Sequence, residues 1–434
     1  MLKQLKELNT ILAQAIKKEK KTIFFKYTIK IDSNINAIKK NLFKKDNTLY
    51  MNLPGNTQTY IGSGIRLEIK NKKYKLNEDY IIKSNSSNKD IITFGVNTFD
   101  EKNKEKFPWG QIKRDYFIIP KILFIIKKEC TLNFNLILDN KSDIEKIKNY
   151  INNNLKKLFS QPNTKNIIAI KSTKKETHPN KEQYLKIFNK ATKAINSGLA
   201  EKIVLSKIQK YSIKENLDIY NMHTIMEKKY KDCFNFIIQL NKKDYFAGST
   251  PELILKLSKN KISTTSIAGT STNKNQLNNT KEIKEQEYVT SYIEKIFTTI
   301  GTDIKKNKTK KLKLNYAYHL KTKISGKTKN KEHILKLLKI IHPTPALSGY
   351  PKKEAIDFIT KIEPFNRGYY AGAVGLYNLK GEGNFYAGIR SALIKNKDIY
   401  LFSGGGITKE SNYLNEWEET NIKLKHIKSI LNLK

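Results

Sequence analysis

Along much of this chain, apolar and polar residues alternate with a period of two, and longer stretches with a helical period are set between the alternating ones. KYTIKI (26–31), IRLEI (65–69), YIIK (80–83) and ILFIIK (122–127) read as strands, so residues 23–170 are predicted to be mostly β, after a lysine-rich helix over 1–22. Turn signals lie at IGSG (61–64) and FDEKNKEKFPWG (99–110). From about 180 the pattern becomes mixed. A helix over 184–198 stops at Gly198, and a strand, KIVLSKIQKY, leads to a helix over 219–230. The strands FNFIIQL, YFAGST, LILKL and KISTTSIAGT follow, then a long helix over 282–300. Helices over 331–341 and 352–362, strands near 369–378, 384–394 and 399–403, and a terminal helix complete the chain. Strands come in adjacent pairs more often than in strand–helix–strand alternation. The pattern therefore predicts an α+β fold of antiparallel sheets with helices packed outside. No linker separates folding units, so one domain over 1–434 is expected, with a strand-rich part over 1–170 and a second part over 180–430.

One stretch near the C-terminus already suggests chemistry. In IYLFSGGGITKESNYLNEWEETNIKLK (399–425) a strand is expected to run into a glycine turn at Gly404, Gly405 and Gly406 and then into a helix. Glu416, Glu419 and Lys423 fall on one face of that helix. Two carboxylates and an ammonium beside glycine backbone suit a hard divalent cation and a small carboxylated ligand. The same spacing also describes a solvated Glu–Lys pair.

Composition narrows the alternatives. The net charge is +42, but of the 82 basic residues only Arg66, Arg114, Arg367 and Arg390 are arginine, and the other 78 are lysines spread through the chain among Asn and Ile. AT-rich coding accounts for that bias. A nucleic-acid reader would cluster its basic residues and favour arginine, so no nucleic-acid partner is expected. A positive field would still attract a dianion. Cys130 and Cys233 have neither metal-ligand nor disulfide spacing. The N-terminus lacks the apolar core of a signal peptide, and YFIIPKILFII (116–126) is too short to span a bilayer, so a soluble, cytoplasmic protein without membrane contact is expected.

Several further stretches occur in an order that resembles one family. They are EKIVLSK (201–207), YFAGSTPELIL (245–255), SIAGT (266–270), KEIKEQEYV (281–289), HPTPALSGYP (342–351), EPFNRGYYAGAVG (363–375), FYAGIRSALI (385–394), LFSGGGI (401–407) and NEWEETNIKLK (415–425). Together they are similar to the chorismate-utilising enzymes over 180–430, with a weaker likeness over 55–130 through IGSGIRLEI and FPWGQIKRDYFIIPKILF.

The resemblance implies roles for particular residues. Members that add ammonia to chorismate carry glutamine where this chain has Lys202, and members that add water carry lysine. Lys202 is thus expected to be the base, and only about one free lysine in a thousand is neutral at pH 7.5, so its surroundings must assist. Glu252, flanked by Pro251 and Leu253, matches the general acid, which needs a raised pKa from an apolar pocket. Glu285, Glu419 and Glu416 are the implied holders of a magnesium ion, with exposed salt bridges as the alternative for each. Arg390, placed in a strand, can pair bidentately with a substrate carboxylate. Gly269, Thr270, Gly404 and Lys423 are the implied ligand contacts, and Ala346 and Tyr370 the pocket wall.

His319 matches a family histidine near the ring, with a structural histidine as the other reading. The chain departs from the family at Thr250 (usually serine), Ser271 (often arginine) and Gln286 (often histidine). Gly326-Lys327-Thr328 looks like a phosphate loop, but the glycine required earlier is Lys321. The expectation is a magnesium-dependent isomerase converting chorismate to isochorismate for menaquinone synthesis, without a glutaminase subunit. The alternatives are a siderophore route, a salicylate synthase, an ammonia-using subunit and, from another class, a polyanion-binding protein.

Overall fold

The computed structural model describes residues 7–16, 21–69, 79–87, 90–100, 106–162, 172–314 and 316–433. They form a mixed α+β structure rich in antiparallel sheet and fall into two compact units. One comprises residues 1–95, 116–168 and 218–245, and the other comprises 96–115, 169–217 and 246–434. Residues 218–245 belong with the N-terminal unit.

In the first unit a seven-stranded sheet runs in the order Ile81–Ser84, Ile23–Ile31, Cys130–Leu138, Asp115–Ile126, Thr59–Ile69, Leu49–Asn52, Phe234–Gln239. Only the first pair is parallel. Helices Ile35–Phe43 and Ile144–Phe159, which lie in the stretch read as mostly β, pack against each other. The expected turn at IGSG is instead the middle of a strand, where Gly62 lets the Leu49 and Pro120 side chains approach within about 3 Å of where a Cβ would stand. Of the helix expected over 1–22, Leu8–Ile16 is described, and residues 1–6 and 17–20 lie outside the described residues.

The second unit contains two antiparallel runs. One is Ser172–His178, Lys202–Ile213, Asp398–Ile407, Ser391–Lys395. The other is Ala373–Asn378, Gly383–Ala387, Leu253–Ser258, Lys261–Ser271, Ala317–Thr328, with Gly301–Lys306 and Lys310–Leu314 sharing the far edge. Helices Lys181–Asn196 and Tyr413–Leu431 cover the first run, and helix Thr280–Ile300 covers the second. A capping box, Asn180 with Gln183, starts the helix Lys181–Asn196.

Two expectations are corrected here. Gly404, Gly405 and Gly406 form no turn: the strand continues to Ile407, paired with the Lys202 strand from Gly404↔Ser206 to Ile407↔Ile203. The single strand expected over 384–394 is two, Gly383–Ala387 and Ser391–Lys395, broken at Arg390, whose φ of 51° is left-handed. Arg390 therefore sits in a bend, not in a strand. Gly326-Lys327-Thr328 ends a strand and forms no phosphate loop.

Candidate active site

Lys202 opens its strand with 1% of its surface exposed, and its Nζ stands 2.8 Å from Glu285 Oε1. Glycine at 406 makes room for this pair. A Cβ there would lie 2.5 Å from Lys202 Cε and 2.7 Å from Glu285 Oε1. Burial opposes ionisation of Glu285, but Lys202, then Lys423 and Lys281, hold its carboxyl below the ordinary range. The Lys202 strand is itself anchored from behind. Arg367 donates to Val204 O and Leu347 O at 2.6 and 2.8 Å and pairs with Glu363, which accepts from the Ser206 amide at 2.8 Å.

Glu252 follows Pro251 in the short link before the strand Leu253–Ser258 and is buried. Burial pushes its carboxyl up to about 8, tempered by Lys202, Lys423, Thr344 and Arg390 nearby. It is thus a carboxylic acid that retains its proton near neutral pH.

Two helices bring four further carboxylates together. Glu282 and Glu285 come from Thr280–Ile300, and Glu416 and Glu419 from Tyr413–Leu431. Lys281 Nζ lies 2.6 Å from Glu416 Oε1 and 4.0 Å from Glu282 Oε1. Ser411 donates to Glu416 Oε1 at 2.7 Å, while Glu416 Oε2 is buried without a hydrogen-bond partner. Burial, with repulsion from Glu285 and Glu419 respectively, raises Glu282 and Glu416 to about 7. Glu419 pairs with Lys423 at 2.5 Å, and the same ammonium donates to Gly404 O at 2.9 Å. Glu416 is no solvated partner of a surface lysine, since only 1% of it is exposed.

Hard carboxylate oxygens, one of them buried and unpartnered, fit a magnesium ion. As the described residues stand, no three His, Cys, Asp or Glu side chains close around such an ion, and Glu416 and Glu419 pair with Lys281 and Lys423 instead.

These groups border a partly open cavity. Glu252, Thr270, Glu285, Ala346, Tyr370, Arg390, Gly404 and Lys423 line it, as does His319. Lys202, Gly269, Glu416 and Glu419 are not part of the lining, although Lys202 reaches it through Glu285. On one wall Arg390 Nη2 is 3.5 Å from His319 Nε2, and His319 Nδ1 is 3.1 Å from Thr270 Oγ1. Burial, then the cations Arg390 and Lys423, hold His319 well below the ordinary imidazole range and so keep it neutral. Tyr370 stacks on Phe402 at 5.0 Å, and Trp109 stacks on Phe402 at 5.6 Å. The combination of one buried amine, one protonated carboxyl, an acidic cluster and an arginine can move two protons on a small polyanion.

Sequence reasoning missed Glu282, Lys281 and Thr344. The signal for Glu282 was available in its spacing, three residues before Glu285 and hence on the same helical face. Ser271, where the family often has arginine, ends the strand Lys261–Ser271 and donates to Gln276 Oε1 at 2.6 Å.

Known proteins resemble this chain in sequence and in fold. Among curated proteins, isochorismate synthase MenF of Bacillus subtilis is 27% identical over 357 residues, covering 78% of this chain and 74% of that protein. Isochorismate synthase EntC of Escherichia coli is 28% identical over 245 residues, 54% of this chain and 63% of that protein. The solved structure of MenF, the menaquinone-specific isochorismate synthase from Escherichia coli, superposes with a TM-score of 0.80 at 20% identity over 99% of this chain and 100% of that one, which establishes the fold. The profile of the family described as Chorismate binding enzyme matches residues 9–432, so that both the strand-rich N-terminal part and the cavity with its lysine and carboxylates fall within a single match, and the chain belongs to the chorismate-binding enzymes.

Proposed function

We propose that the protein is an isochorismate synthase, an isomerase that moves the hydroxyl of chorismate from C4 to C2. One observation carries this reading: a buried lysine and a carboxyl raised to about 8 serve the same cavity, the lysine through its 2.8 Å contact with the lining residue Glu285. In its neutral amine form, Lys202 takes a proton from water as the oxygen bonds to C2. Both ring double bonds shift, from C1=C2 to C1=C6 and from C5=C6 to C4=C5, the C4–O bond breaks, and Glu252 supplies the proton with which that oxygen departs as water. A carboxyl near 8 is mostly protonated at neutral pH, as an acid must be. Arg390, with Thr270 and His319 behind it, is assigned to a substrate carboxylate, and Gly404 and Gly269 to close backbone approach. Ala346 and Tyr370 serve as pocket wall. Glu285, Glu419 and Glu416 would hold magnesium, with Lys423 beside them. The ion would hold the ring carboxylate and offset the charge of the acidic wall.

Lysine at 202 argues against amination, so no glutaminase subunit is assigned. Menaquinone synthesis is the favoured destination, in line with the relatives of that specificity, and complementation of a menaquinone-requiring mutant would test it. Purified protein incubated with chorismate and magnesium, with and without ammonium, should yield isochorismate only when the metal is present. Salicylate plus pyruvate would make the protein a salicylate synthase, anthranilate formation would overturn the role of Lys202, and no turnover would reject the reading.

A further inference from the structure

The strand Lys261–Ser271 carries a β-bulge: pairing with the strand Ala317–Thr328 shifts between Ala268↔Leu320 and Thr270↔His319, leaving Gly269 extra. Gly269 has φ of +63°, and a Cβ on it would lie 2.9 Å from Glu282 O, so helix Thr280–Ile300 presses directly on the bulge. Two side chains of that helix, one turn apart, take up the amides on either side. The Ala268 amide donates to Gln286 Oε1 at 2.8 Å, and the Thr270 amide donates to Glu282 Oε2 at 2.6 Å. Gln286 is buried, and its Nε2 donates to Thr322 Oγ1 at 2.9 Å and more weakly to Ser266 O at 3.4 Å. All three polar positions of its amide are thereby oriented by the two strands that form the bulge.

We propose that Gln286 is a positioning residue that, together with Glu282, clamps the bulge and so sets where Thr270, His319 and Arg390 meet the substrate. This rests on the functional reading above, which gives that wall to a substrate carboxylate. The chain of contacts is continuous, from Gln286 and Glu282 to the bulge, from Thr270 to His319 at 3.1 Å, and from His319 to Arg390 at 3.5 Å. It leads to the binding wall and not to the Lys202–Glu285 pair, so the clamp acts on substrate affinity more than on turnover. A neutral imidazole also offers one acceptor and one donor and can fill the same place, whereas leucine, of similar size, offers neither.

The test compares Q286L, Q286H and T322V with wild type by amide hydrogen exchange of the 262–272 segment and by chorismate kinetics. Q286L should speed exchange at 268–270 and raise KM about tenfold, the scale of one buried amide left unsatisfied, with kcat changed much less. Q286H should restore both. T322V, which removes one of the acceptors orienting the glutamine amide along with the Thr309 Oγ1 contact at 2.8 Å, should give a smaller rise in KM and serves if Q286L fails to fold. Wild-type exchange and KM in Q286L, or loss of kcat at unchanged KM, would overturn the proposal. If the wild-type protein does not turn over chorismate, the functional reading fails, and the exchange comparison still decides whether the clamp exists.

Discussion

Lys202 and Glu252 owe their chemistry to burial. Lys202→Gln is expected to lower isochorismate formation by about 10² to 10⁴, the usual range for a positioned base, while chorismate still binds. Chromatography of products and calorimetric titration would check the two halves separately. Glu252 gives a prediction with a sign. Its carboxyl titrates near 8 in the folded state against 4.5 ordinarily. Between those values the unfolded chain releases a proton that the folded chain keeps, so stability falls as pH rises through that window. Urea denaturation from pH 5 to 8 should show that fall, flattened in Glu252→Gln. For an acid catalyst, kcat/KM should also decline above about pH 8. A lysine before an apolar strand and a glutamate in a Pro-Glu-Leu setting were both legible as candidates in the sequence. The spacing of Glu282 to Glu285 placed it on the same helical face, but the bulge amide that its carboxylate meets lies in another element and left no local trace.

At the scale of elements, two strand–helix packings bring the site together. Gly406 shows how close the fit is. Gly406→Ala places a methyl within 2.7 Å of both Lys202 and Glu285, so kcat should fall at least tenfold while the melting temperature changes little. The flexible lysine end can yield, which spares the fold, but the lysine–glutamate spacing then changes. The buried pair Arg367–Glu363 has the opposite profile. It ties the Lys202 strand to Leu347 and to the end of the helix Lys352–Ile362, and Arg367→Met leaves Glu363 buried without its partner. Loss of about 3 to 5 kcal/mol in urea denaturation is expected.

On the scale of the molecule, charge and substrate bear on each other. A chain of net charge +42 facing a dianion should show kcat/KM falling as sodium chloride rises at fixed magnesium, with kcat less affected. A salt-independent kcat/KM would leave the charge without a role in capture. Chelation should abolish turnover and magnesium should restore it. No helix among the described residues is long and apolar enough to cross a membrane.

Local pattern was enough for the α+β class, the paired strands, most helices and the candidacy of Glu252, Thr270, Glu285, Ala346, Tyr370, Arg390, Gly404 and Lys423, which line the cavity. Each depends on local periodicity or on short motifs that persist whatever the chain packs against. Tertiary structure alone decided the rest. Gly404–Gly406 looked like a turn because glycine is the usual turn residue, yet those glycines pair in a strand with the Lys202 strand, and Ser206 and Tyr370 approach Gly404 closely, as Lys202 and Glu285 approach Gly406. Arg390 looked like a strand residue from its neighbours, yet it bends into a left-handed conformation at the cavity wall between two strands. Whether Glu416 was a solvated residue or part of an acidic cluster depended on a helix more than one hundred residues earlier in the chain. Local pattern records what a residue is and what its sequence neighbours are. It does not record which distant groups enclose it, and that enclosure shifts the carboxyls, pairs Lys202 with Glu285 and places both acidic helices at one cavity.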